Sequence, residues 1–188
     1  MRNNQPVINR EYALKGDDFL ISRTNRRGRI TYANPAFIEV SGFTRDELIG
    51  APHNIVRHPD MPEQAFENLW STLKEGGTWI GLVKNRRKDG GYYWVRAHVT
   101  PIVEDGVIAG FVSVRLKADK PSIDAAEQAY TALREGRGGR LHLHRGEIRR
   151  RGLVAALRRW NPSSVSSRFS LLYLASAAPL VGAGVIGF

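Results

Sequence analysis

The chain has 188 residues, 42% of them hydrophobic and 24% charged, with a formal net charge of +10, the balance of a folded globular chain. It has no cysteine, which excludes a disulfide scaffold, a thiolate metal site, an iron–sulfur cluster and a cysteinyl–flavin adduct. Its length leaves room for one domain of ordinary size and a tail of roughly a third of the chain.

Residues 1–17 are polar with little periodicity and read as an N-terminal cap, in which Val7, Ile8, Tyr12 and Leu14 are available to pack on a neighbour. Met1 to Gln5 is too polar for a secretory signal. From Phe19 the apolar residues alternate: Phe19 and Ile21, a turn over Asn25 to Gly28, then Ile30 and Tyr32, which predicts a hairpin. Asn34-Pro35 is a helix-start pair, and Gly42 is the stop. Thr44-Arg45-Asp46-Glu47 is a capping box that opens a second short helix ending near Gly50. A longer helix is expected from Asp60–Pro62 to Gly76, with Ala65, Phe66, Leu69, Trp70 and Leu73 on one face.

Three strands follow, Trp79 to Arg86, Tyr92 to Val103 and Val107 to Lys117, joined by turns at Asp89-Gly90 and Asp105-Gly106. Two strands, a helical excursion and a three-strand meander predict an α+β domain over residues 18–118, a five-stranded antiparallel sheet with short helices on one face. A linker helix over residues 119–136 carries Ile123, Ala126, Tyr130 and Leu133 as an apolar stripe, which needs the sheet or a second copy of the chain to cover it and raises the expectation of a homodimer.

Most of the net charge lies beyond that helix. Between Arg137 and Trp160 eight arginines face the single Glu147. Immediately after, Phe169 to Phe188 has no charged side chain and the length of a membrane-spanning helix. Residues 137–168 therefore read as a basic juxtamembrane segment facing anionic lipid on the cytoplasmic side, and 169–188 as the membrane segment, with the domain at the cytoplasmic membrane. On this reading the basic charge serves lipid and not nucleic acid.

Two stretches carry candidate chemistry. On the strand from Trp79, residues Trp79, Gly81, Val83 and Asn85 share a face. Turned inward, it offers an aromatic surface, space beside Gly81 and an amide for a heteroaromatic rim. The plainer reading makes Trp79 core and Asn85 a turn cap. In the helical excursion Arg57, His58 and Asp60 lie between stiffening prolines, where Arg57 suits a diphosphate and His58 a ribose or phosphate oxygen. Asp60 is equally a helix cap with Glu63 at the third helical position. No hydrolase, phosphate-loop or zinc-protease motif occurs, so an enzyme is not expected.

Ile30 to Phe37 with Ser41-Gly42-Phe43 resembles the first half of a PAS domain, and Pro52 to Pro62 with Trp79 to Ala97 resembles the FAD-binding PAS domain of the bacterial aerotaxis receptor family. The resemblance covers about residues 18–118. It implies non-covalently bound FAD whose redox state is read in aerotaxis or energy-taxis signalling, a chemotaxis partner, and a membrane anchor. The positions it associates with FAD fall on Arg57, His58 and Asp60, and further on Asn34, Trp70, Trp79 and Asn85. Two alternatives stay open: a haem-binding PAS gas sensor using His53 or His58 as axial ligand, and a cofactor-free PAS interaction module whose aromatic residues are only core.

Overall fold

A computed structural model describes residues 4–150. Strands β1 (Leu20–Asn25) and β2 (Ile30–Ala33) open a sheet completed by β3 (Trp79–Arg86), β4 (Tyr92–Glu104) and β5 (Val107–Lys117), in the order β2-β1-β5-β4-β3. Each neighbouring pair is antiparallel. The excursion between β2 and β3 holds α1 (Pro35–Ser41), α2 (Arg45–Leu48), a single 3-10 turn (His53–Val56) and α3 (Glu63–Lys74). These elements pack over one face of the sheet. Helix α4 (Lys120–Arg134) packs on the other.

Local sequence explains the short helices. Asn34 caps α1 by accepting from the Phe37 amide, Pro35 takes the first turn, where its missing N–H costs nothing, and Gly42 closes the helix at φ 73°. Thr44 and Glu47 form a reciprocal capping box on α2. At α3 the expected cap is displaced: Pro62, not Asp60, stands at the cap position and makes no side-chain bond. Asp60 is drawn away by cations on β3 and α4.

The phase of β1 also departs from expectation. Leu20, Ser22 and Thr24 face inward, whereas Phe19 is 53% exposed. The alternation argument assumes an apolar interior, but this strand borders a cavity, and its inward residues are partly polar. Tyr32 is likewise exposed while Ile30 is buried, because the β1–β2 register shifts between Arg23 and Thr24.

The stripe on α4 is covered by this chain's own sheet. Tyr130 stacks on Trp94 at 6.5 Å and donates its hydroxyl to the Leu82 carbonyl at 2.8 Å, and Ile123 and Ala126 are buried. The observation behind the expected homodimer therefore offers no surface to a second copy. The cap segment lies along β4 and the excursion. Tyr12 donates its amide to the Tyr92 carbonyl, and Asn4 donates to the carbonyls of Asn54 and Arg57.

Part of the segment read as juxtamembrane is structured. Leu141–His144 (β6) and Glu147–Arg150 (β7) pair as a hairpin. Asn68 of α3 holds it: Oδ1 accepts from the Gly146 amide at 2.9 Å and Nδ2 donates to the Leu143 carbonyl at 3.2 Å. A side chain at Gly146 would strike the Ile80 carbonyl, and φ there is 94°, so the close approach demands glycine. Among the described residues no helix is long and apolar enough to cross a membrane, and the expected span over 169–188 lies outside them.

Candidate functional site

Between the sheet and α3 is a cavity of about 1010 Å³. Its floor comes from alternate residues of the sheet: Ser22 and Thr24, Val83 and Asn85, Val99, then Phe111, Ser113 and Arg115. Register aligns them in rows, Ser22 opposite Ser113 opposite Val99, and Thr24 opposite Phe111. The roof is the apolar face of α3, with Phe66, Leu69, Trp70 and Leu73, so this stripe faces the cavity as much as a packed core.

The polar groups on the floor are poorly paired. Ser113 Oγ and Arg115 Nη1 are buried without a hydrogen-bond partner, whereas Asn85 Nδ2 and the hydroxyl of Tyr93, opposite each other in register, make no well-formed bond and interact only with one another. Buried polar atoms are rarely left so, and each unpaired one costs about 1–3 kcal/mol. Arg115 is the extreme case. Its Nη2 donates to Ser22 Oγ at 3.0 Å and contacts His53 Nε2, and the guanidinium lies 4.8 Å from the Phe37 ring centre. Among the described residues no carboxylate pairs with it. Burial pushes it down to about 10, so it stays charged at neutral pH. Desolvation, reinforced by the charge of Arg115, pushes His53 down to about 3, and the imidazole is neutral. Burial pushes the Tyr93 phenol up to about 12.

Of the seven residues singled out from the sequence, Arg57, Trp70 and Asn85 line the cavity. Arg57 is not free, however: Nη2 donates to the Met61 carbonyl at 2.9 Å and the guanidinium rests on Phe66 at 4.1 Å. Its backbone bridges Asn85 and ties the excursion to β3. Asn34 stands elsewhere, with Oδ1 accepting from the Ile21 and Phe37 amides and Nδ2 donating to the Phe19 carbonyl. Trp79 is core. Its indole covers Gly81, filling the space that a flat ligand would need there, and Nε1 donates to Asn68 Oδ1 at 3.0 Å.

His58 and Asp60 lie outside the cavity wall, in a separate ionic cluster. Asp60 meets Lys84 Nζ at 2.7 Å and Arg134 at 2.9 Å, and Lys84 also reaches Glu127 at 3.3 Å. Lys84 lies over the rings of Tyr92 and Trp94. His58 Nδ1 accepts from the Asp60 amide at 3.1 Å, and its ring meets Tyr92 edge-on. Desolvation pushes it down to about 4. The excursion, β3 and α4 are thus joined at one point.

The residues that spacing failed to single out are Ser22, Ser113 and Arg115. Each falls at an inward position of a strand that reads as ordinary, and only the pairing of β1 with β5 brings them together. A signal was present in the alternation of β5, which puts Arg115 in phase with buried Phe111.

Residues 30–115 match the family model described as the PAS fold. The aerotaxis receptor of Escherichia coli K12 is 42% identical over 189 aligned residues, which cover 96% of this chain and 37% of that protein. A nitrogen fixation regulatory protein of Klebsiella pneumoniae is 34% identical over 83 residues, 44% of this chain and 17% of that one. The chain thus spans well under half the length of either relative. Among solved structures, the light state of the blue-light photoreceptor Aureochrome1 LOV aligns with a TM-score of 0.51 at 18% identity, covering 64% of this chain and 92% of that one. A light-oxygen-voltage domain studied with a flavin analogue aligns with a TM-score of 0.50 at 22% identity, covering 63% of this chain and 86% of that one. With the β2-β1-β5-β4-β3 sheet, the covering helices and the match over residues 30–115, this part of the chain has the PAS fold.

Proposed function

We propose that this chain is a redox sensor whose PAS domain binds FAD non-covalently and acts in signal transduction without turnover. The observation that carries the reading is the unpaired donors Ser113 Oγ and Arg115 Nη1, with the weakly held Asn85 amide beside them, buried on the wall of a cavity of about 1010 Å³ roofed by aromatic and aliphatic side chains. This donor set fits a flat, acceptor-rich heteroaromatic ring. The similarity to an aerotaxis receptor supports the same assignment.

When bound, a flavin supplies reversible electron uptake, with added negative charge on its acceptor edge in the reduced state. Arg115 is a fixed, desolvated cation that favours the more negative state. Asn85, Ser113 and Trp70 hold the ring system and exclude water. Strand β3 carries any change outward, since Asn85 faces the cavity while Lys84, one residue away, grips Asp60 and Glu127 on the opposite face. The basic segment and residues 169–188 anchor the chain to the cytoplasmic membrane, with the domain on the cytoplasmic side and a chemotaxis signalling partner as its output.

The haem alternative is less well supplied. His53 is the only histidine on the cavity wall among the described residues, and its Nε2 faces the Arg115 cation, which opposes a metal ion. The cofactor-free alternative leaves the buried donors without purpose.

Protein recovered from flavin-rich cells and then denatured is expected to release FAD, and the folded form to show a flavin absorption band that bleaches on reduction. Release of no flavin, with none taken up on reconstitution, overturns the assignment. Replacing Arg115 by Met removes a charge-assisted contact worth about 2 kcal/mol and is expected to lower the two-electron midpoint potential by about 40 mV. An unchanged potential in a reductive titration of Arg115→Met would remove Arg115 from this role.

A further inference from the structure

The polar floor occupies only one end of the cavity. At the other end stand Arg26 and Arg27, on the turn between β1 and β2, and Lys74, at the end of α3. All three are exposed, and none of their side chains makes an ion pair or hydrogen bond with a described residue. Their neighbour Arg29 differs, since it donates to the Gly50 carbonyl at 2.8 Å and turns away. Asn25 fixes the turn by accepting from the amides of Arg27 and Arg29, which presents Arg26 and Arg27 at its tip.

Trp70 joins the two ends. Its ring meets Phe111 of the floor edge-on at 5.4 Å, and the same indole lies against Gly28 of the turn. The indole is 38% exposed, which leaves an aromatic surface beside the three cations. The wall as a whole bears five cations, Arg57 and Arg115 included, against the carboxylates Glu63 and Glu67. Glu63 acts electrostatically on Arg57. The excess positive charge therefore gathers at the turn.

From this geometry we infer that Arg26, Arg27 and Lys74 form a phosphate-recognition subsite, which takes the diphosphate of a dinucleotide whose ring system lies on the floor at Asn85 and Arg115. The inference rests on the flavin reading and adds the selection of FAD over shorter flavins, by residues outside the stretches that the sequence marks for cofactor contact. It also moves diphosphate recognition away from Arg57, whose guanidinium is occupied by the Met61 carbonyl and Phe66. A cavity at the upper end of the ~300–1,000 Å³ range of small-molecule sites has room for more than the ring alone.

The test is a set of binding titrations of the full chain, stripped of flavin, with riboflavin, FMN and FAD at two salt concentrations. The wild type is expected to bind FAD at least about tenfold more tightly than riboflavin, with the advantage falling as salt rises. In Arg26→Ala/Arg27→Ala/Lys74→Ala that advantage is expected to disappear, while riboflavin affinity stays within about twofold and shows that the cavity is intact. Arg26→Lys/Arg27→Lys/Lys74→Ala should restore part of it, since two of the three charges are kept. An unchanged FAD-to-riboflavin ratio in the triple alanine variant overturns the subsite and leaves the flavin reading standing. A wild type that binds none of the three flavins overturns both.

Discussion

Lowering the pH from 6.5 to 4.5 is expected to destabilise this chain by about 2 kcal/mol for each of two histidines, His53 and His58. Burial and neighbouring positive charge hold both neutral in the folded state, His53 down to about 3 and His58 down to about 4. In the unfolded chain they take up protons near the ordinary histidine value of about 6.5. Below that value the unfolded state binds more protons than the folded one, so stability falls with pH until the folded values are reached. The geometry agrees with neutrality: His58 Nδ1 accepts an amide hydrogen, and His53 Nε2 faces a guanidinium. Against a total of about 5–15 kcal/mol for an ordinary domain, a loss of this size brings unfolding into the mildly acidic range.

Chemical denaturation at closely spaced pH values checks this expectation. The double variant His53→Gln/His58→Asn keeps an acceptor at each place and removes the titration, so its stability should be flat from pH 6.5 to 4.5. Equal slopes for the variant and the wild type would sink the assignment to these two residues.

Replacing Asp60 by Asn is expected to cost about 2 kcal/mol and to loosen α4. Breaking an ion pair with a buried partner costs about 3–5 kcal/mol, and the figure is reduced here because the Asp60 side chain is 43% exposed while that of Lys84 is 8% exposed. Without the carboxylate, Lys84 keeps Glu127 alone and Arg134 loses its partner on the excursion. Hydrogen exchange should then show reduced protection in α4 and in residues 57–61, with β1 and β2 unaffected. Unchanged protection in α4 would show that the cluster does not fasten that helix. Desolvation draws the Asp60 carboxyl upward, but the hydrogen bond and charge of Lys84, with His58 and Arg134, outweigh it and hold the group below its ordinary value. Its contribution is therefore complete above about pH 4 and lost as pH falls through the lowered value, beneath the histidine window. Any effect of Asp60→Asn on cofactor retention passes through Met61 and Arg57, because Asp60 does not line the cavity.

The local elements were legible because their signals are short-range. The caps at Asn34 and Thr44, the glycine stop at Gly42 and the Asp-Gly turn are decided within a few residues, and all stand where the sequence puts them. The inward face of β3 was legible for a similar reason, since strand geometry alternates side chains whatever the partner strand is. Alternation misled at β1, where a cavity reverses the rule that the apolar face is the inner one.

Proximity across the sheet could not be read locally. Arg57, His58 and Asp60 are nearly consecutive, yet the 3-10 turn and Pro62 direct Arg57 toward the cavity and the other two toward α4. Arg115 became part of the site only when β5 paired between β1 and β4, which set it beside Ser22 and His53, residues 93 and 62 positions away. Short-range steric and capping preferences determined from sequence alone that this chain makes a five-stranded α+β domain with a helical excursion. Strand order, long-range burial and competition among cations for Asp60 decided which polar side chains face the cavity, because those energies exist only once distant segments meet.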